Sequence, residues 1–141
     1  MRTLTAAALI GCLGTAAHAD MARYELDTSH TAVYFTVAHI GYSKTLGVFT
    51  DLEGSFFYDE DAQELGDVSV TIDAASVNTL NEARDKHVRN QDFLNVSAHP
   101  QITFTATGGQ ATNATSGTVT GELTILGKTR PVTLDVTLNK A

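Results

Sequence analysis

The chain has no tryptophan, two prolines and a single cysteine, Cys12. One thiol cannot form an internal disulfide, so stability must come from a buried core. Basic residues are scarce: nine Lys and Arg stand against sixteen Asp and Glu, a net charge of −7. That balance argues against nucleic acid and anionic lipid surfaces as partners, since both need a basic footprint. Beyond the first nineteen residues, no run is long and apolar enough to span a bilayer as a helix. Catalytic signals are missing too. There is no G-x-S-x-G elbow, no Gly-rich phosphate loop and, past Cys12, no cysteine nucleophile. Asp and His without a nucleophile or a convergent partner do not make an active site. The expectation is a binding protein, not an enzyme.

Residues 1–19 read as a secretory signal peptide. Met1-Arg2-Thr3 gives a positive start, and Leu4 to Ala17 is small and apolar. Ala17-His18-Ala19 forms an A-x-A cleavage site ahead of Asp20. Leu9-Ile10-Gly11-Cys12 imitates a lipoprotein box, but too few apolar residues precede Cys12. The expected mature chain, residues 20–141, suits one domain with a real core. Loss of Arg2 takes its net charge from −7 to −8.

Period-two alternation dominates the mature chain. Val68, Val70 and Ile72 alternate with Ser69, Thr71 and Asp73. Ile102, Phe104 and Ala106 oppose Thr103, Thr105 and Thr107. Val119, Leu123 and Ile125 share a phase, as do Val132, Leu134, Val136 and Leu138. Each run predicts a strand with one buried and one wet face, and the short polar turns between them predict an all-β antiparallel sandwich or barrel. Two stretches differ. Residues 32–40 are apolar on both phases, which predicts a strand covered on both sides. Residues 46–58 predict one long strand, bent at Gly54.

One short helix is expected, at about residues 79–90, opened by the capping box Thr79-Leu80-Asn81-Glu82. It carries Arg84, Asp85, His87 and Arg89, with Phe93, Pro100 and Phe104 beyond it. A charged helix in a β chain suggests a lid over whatever the strands enclose.

The ordered motifs resemble the YceI-like family, bacterial lipid- or polyisoprenoid-binding proteins of the periplasm. The resemblance rests on Tyr24-Glu25-Leu26-Asp27 with Ser29-His30, and on Val33-x-Phe35-x-Val37-x-His39. It continues through Gly47-x-Phe49, Gly54-x-Phe56, Arg84-Asp85-x-His87-Val88, Asp92-Phe93 and Pro100-x-Ile102-x-Phe104. It ends in Gly121-x-Leu123-Thr124-x-x-Gly127-x-Thr129-Arg130-Pro131-Val132. It implies a lipocalin-like antiparallel β-barrel whose apolar interior holds a long isoprenoid chain, a quinone tail or prenyl phosphate, without other cofactors. The helix would sit near the opening. Family members usually continue past the strand at 130–138, whereas this chain stops at Ala141. The expectation is therefore a barrel left incompletely closed by a shortened C-terminus. Open edges of that kind invite pairing with a second copy, a homodimer, or with another chain.

A polyprenyl chain needs only a dry apolar surface. Candidates to line it are Phe35, Val37, Phe49, Phe56, Val70, Ile72, Phe93, Phe104 and Leu123; each could equally be ordinary core. His39, Arg84 and His87 are candidates for the rim that meets a polar head group, with Arg suited to phosphate. Asp85 would repel a phosphate and reads as structural. Two other classes of function remain: a metal or haem site built from His39, His87 and His99, or a structural module that assembles through open strand edges. No histidine pair has ligand spacing on one element.

Overall fold

The alternating runs become strands of one large antiparallel sheet. The computed structural model describes residues 21–139, so the expected signal peptide at 1–19 lies outside the described residues. In chain order the strands are β1 (Ala22–Glu25), β2 (Val33–His39), β3 (Ser43–Phe49), β4 (Leu52–Asp59), β5 (Glu64–Leu65), β6 (Val68–Asp73), β7 (Val77–Asn78), β8 (Gln101–Ala106), β9 (Gln110–Asn113), β10 (Ser116–Ile125) and β11 (Lys128–Thr137). The large sheet has the order β1-β4-β6-β8-β10-β11, with β5 beside β4 and β9 beside β10. A smaller sheet has the order β2-β3-β7.

Register puts the apolar phases of the large sheet on a common face. Tyr24 pairs with Phe56, Leu52 with Ile72, Val70 with Phe104, Phe104 with Leu123, and Val119 with Leu134. The opposite face is threonine-rich and wet; Thr120 and Thr133 share a hydroxyl hydrogen bond of 2.8 Å across β10 and β11. The architecture is mostly β, antiparallel and not closed: among the described residues, β1 and β11 are the outer strands of the main path.

The smaller sheet caps one part of this face. Phe49 and Val77 come from it, and Leu52, Ile72 and Ile102 from the large sheet; with Ala74 they form the buried core. Phe35, Val88, Leu94 and Leu123 pack against that cluster.

Three local expectations need correction. Residues 46–58 do not form one strand. The chain turns at Thr50-Asp51, and the buried phase passes from odd positions (Gly47, Phe49) to even ones (Leu52). Hydrogen bonds fix that corner: Thr50 N–H donates to Ser76 Oγ at 3.2 Å, and Asp73 N–H to Asp51 O at 3.0 Å. Residues 32–40 are not covered on both sides either. β2 is an outer strand, its Val33 and Phe35 face the core, and Tyr34 on the other phase is exposed. The helix α1 spans Glu82–Arg89, shorter than expected, because Leu80 has a left-handed φ of 64° and cannot join it. Asn81 is the N-cap; its side chain accepts from Arg84 N–H at 2.9 Å.

Candidate functional site: an uncharged apolar cavity

The inward face of the large sheet is filled at one end and hollow at the other. Along β4, Leu52 is core whereas Phe56 and Tyr58 line a cavity; along β6, Ile72 is core whereas Val68 and Val70 line it. The cavity holds about 380 Å³, within the ~300–1,000 Å³ of small-molecule sites. Its apolar wall is Phe56, Val70, Phe104, Val119, Leu134 and Val136, contributed by β4, β6, β8, β10 and β11. Tyr24 stacks on Phe56 with centroids 5.4 Å apart and fixes that ring. The Tyr24 hydroxyl donates to Glu60 Oε1 at 2.7 Å, and this bond to a carboxylate raises the phenol pKa above its usual 10.0.

Exposed polar side chains edge the cavity: Gln63, Gln110, Asn113 and Thr115. Backbone and amide bonds brace this mouth. Gln63 Nε2 donates to Ala114 O at 3.1 Å, Gly109 N–H to Leu65 O at 3.1 Å, and Leu138 N–H to Thr115 O at 2.8 Å. No Asp, Glu, Lys, Arg or His among the described residues lines the cavity. Such a surface can desolvate an apolar chain and hydrogen-bond a neutral polar group, but offers no counter-ion to an anion.

The residues singled out in the sequence separate into three places. Phe56, Val70 and Phe104 line the cavity. Phe49 and Ile72 are buried in the core, with Phe35 and Leu123 packed on it. Val37 and Phe93 are exposed, Phe93 with its ring set edge-on to His87 at 4.9 Å. His39, Arg84 and His87 are not among the lining residues. Arg84 is engaged by Thr79, and Arg89 donates to Ala75 O and Val77 O at 2.7 and 2.5 Å. These bonds tie α1 to β7 on the smaller sheet, at the filled end, so the helix does not stand over the cavity. Tyr58, Leu65, Val68, Val119, Leu134 and Val136 line it without having been singled out, as do Gln63, Thr137, Leu138 and most of the 109–118 segment. The apolar phase of β10 and β11 already carried the signal for three of them.

The metal reading finds no constellation. Among the described residues, no three His, Cys, Asp or Glu side chains gather where they could hold an ion. His87 faces Asp92 at 3.3 Å, and the His99 ring lies over Gly127.

A family model described as "YceI-like domain" matches residues 24–141. A UPF0312 protein of Pseudomonas aeruginosa is 44% identical over 139 residues, covering 97% of this chain and 72% of that protein. Among solved structures, a Campylobacter jejuni YCEI protein is 37% identical with a TM-score of 0.65, covering 79% of this chain and 66% of that one. The fold, though little of the sequence, is shared with a polyisoprenoid binding domain from Saccharophagus degradans, at 19% identity and a TM-score of 0.57, covering 86% of this chain and 70% of that one. Family match, close relatives and shared architecture agree, and the chain belongs to the YceI-like family.

Proposed function

We propose that the protein binds a long isoprenoid lipid in the cavity, without chemistry, as a periplasmic carrier or reservoir. The observation that carries this reading is the uncharged, apolar lining of the 380 Å³ cavity. Burial there yields roughly 25 cal/mol for each Å² removed from water. The Saccharophagus degradans domain with the same fold is described as polyisoprenoid binding, which supports the ligand class. The leader-like residues 1–19 support export to the periplasm.

The lining also favours one kind of head group. A quinone carbonyl could accept hydrogen bonds from the amides of Gln63, Gln110 or Asn113, whereas a phosphate would find no cation among the described residues that line the cavity. A quinone tail is therefore the preferred ligand and a polyprenyl phosphate the second.

Native mass spectrometry of protein purified from the periplasm, followed by lipid extraction, tests this. The expected result is a bound mass that extracts as an isoprenoid. A lipid-free protein that takes up neither a quinone nor a polyprenyl phosphate from detergent would overturn the proposal.

A further inference from the structure

The hairpin of β2 and β3 ends in a turn that is built against its own stability. Three residues, Ile40 to Tyr42, separate His39 from its strand partner Ser43, and Tyr42 N–H donates to His39 O at 3.0 Å around the central pair Ile40-Gly41. Both central residues have positive φ, 49° and 78°. Such turns favour Asn-Gly, Asp-Gly or Gly-Gly. A β-branched residue with positive φ is a genuine outlier, because its Cβ substituents crowd the backbone. The β10–β11 turn uses the same device with Leu126-Gly127, at φ of 54° and 66°, but Leu126 is half-buried and not β-branched. Ile40 is strained and also 79% exposed. Neither local geometry nor burial accounts for it.

Its surroundings are apolar and exposed as well. Tyr42 beside it is 91% exposed and Tyr34 on β2 is 73% exposed. Val37 and Leu46, from opposite faces of the hairpin, are exposed too. Charge is distributed to match. From Thr28 to Thr50 there is no Asp or Glu, so all sixteen acids lie elsewhere, while Lys44 sits close to the tip. In an acidic protein, this segment can approach a membrane surface without carboxylates to desolvate or repel. Tyr and Lys are suited to the interface, where an apolar body enters and a polar end stays wet.

We propose that the tip of this hairpin, Ile40 and Tyr42 foremost, docks on a lipid bilayer by inserting into the interfacial layer of zwitterionic lipid. The net acidity of the chain argues against attraction by anionic lipid, so apolar insertion supplies the binding. Depth is limited by backbone chemistry. Among the described residues β2 is an outer strand, and backbone N–H and C=O groups without a strand partner are not tolerated in hydrocarbon, so the tip stops at the headgroup and upper acyl level. Docking of this kind is independent of what the cavity holds.

The absence of tryptophan makes the test direct. In the full chain, Tyr42→Trp places a single reporter at the tip and Phe57→Trp places one on β4. Both variants are mixed with phosphatidylcholine vesicles carrying brominated acyl chains. Fluorescence of the Tyr42→Trp protein should shift to the blue and be quenched, and that of the Phe57→Trp protein should not change. Equal quenching in both variants, or in neither, overturns docking through this hairpin. Ile40→Asn, in the Tyr42→Trp background, relaxes the turn. It should raise Tm while lowering vesicle partitioning about tenfold, the scale of losing one buried aliphatic side chain. Unchanged partitioning overturns the proposal. So does a dimer that Ile40→Asn converts to monomer in size-exclusion chromatography, because the tip would then be covered by a second copy.

Discussion

Thr79 gives two hydrogen bonds to one oxygen of Asp85: its backbone N–H at 2.7 Å and its hydroxyl at 2.5 Å both reach Oδ1. Both residues are buried. Arg84 closes the group, with Nε donating to Thr79 Oγ1 at 2.8 Å and Nη2 to Thr79 O at 2.6 Å. The bond from the Thr79 hydroxyl is the chief reason the Asp85 carboxyl is held below its usual 3.8. Folding therefore favours the ionised form. Its contribution is complete above about pH 4 and is lost as pH falls through the lowered folded value. Asp85→Asn should lower Tm by several degrees at neutral pH, and its deficit against the wild type should shrink below about pH 4. Asp27, also lowered through Ser29 and His30, is common to both proteins and leaves the comparison intact. A deficit that stays constant from neutral to strongly acid pH would show that the charge of Asp85 does not hold α1 in place.

Phe35 lies across Gly47, its partner on β3, and leans on Phe49 with centroids 5.5 Å apart. A Cβ at Gly47 would collide with the Phe35 ring, so this glycine gives the space that lets Phe35 reach the core. Gly47→Ala should destabilise by about 1–3 kcal/mol through overpacking. Urea unfolding should show a lower midpoint with an unchanged m-value. Adding Phe35→Leu should cost less in the Gly47→Ala background than alone, since the collision has gone. Strictly additive costs would contradict this account.

Much of the fold was legible in residues such as Val68, Val70 and Ile72, whose alternation fixes both a strand and its buried face. Position along the strand was not. Val68 and Ile72 have the same phase and the same chemistry, yet one lines the cavity and the other is core. The difference comes from where the β2-β3-β7 sheet packs, a long-range fact with no local periodicity. Residues 46–58 misled for a related reason: Leu46, Val48, Leu52 and Phe56 keep an even phase across a corner at which the chain changes sheets. The helix misled through charge. Arg84 looks like a ligand-binding cation in sequence, but its Nε and Nη2 are held by Thr79, and those of its neighbour Arg89 by Ala75 and Val77. Nothing local to an arginine reports which carbonyls will lie within its reach.

The histidines give a further test. His39 ends β2, His87 sits on α1 facing Asp92, and His99 stands over Gly127 at the β10–β11 turn. Three separate settings leave no shared coordination sphere, so added Zn²⁺ should produce no saturable rise in Tm. Binding of a metal to the native state would raise it by mass action. A stoichiometric stabilisation, abolished by His87→Ala, would restore the metal reading.

Leu134 offers the most selective way to close the cavity. It lies on the outer strand β11, lines the cavity and pairs with Val119. The side chain is still 42% exposed, so a larger ring can grow into the hollow without forcing the packed core apart. Leu134→Trp should keep Tm within a few degrees of wild type and lower isoprenoid uptake at least tenfold. Thr133, the preceding residue, shares its hydroxyl bond with Thr120 on the wet face. Thr133→Trp therefore adds the same ring to the same strand outside the cavity, and uptake should survive. Equal loss in the two variants would mean that β11 matters for folding rather than for a lining contact. Undiminished uptake in Leu134→Trp would move the lipid site away from this face of the sheet altogether.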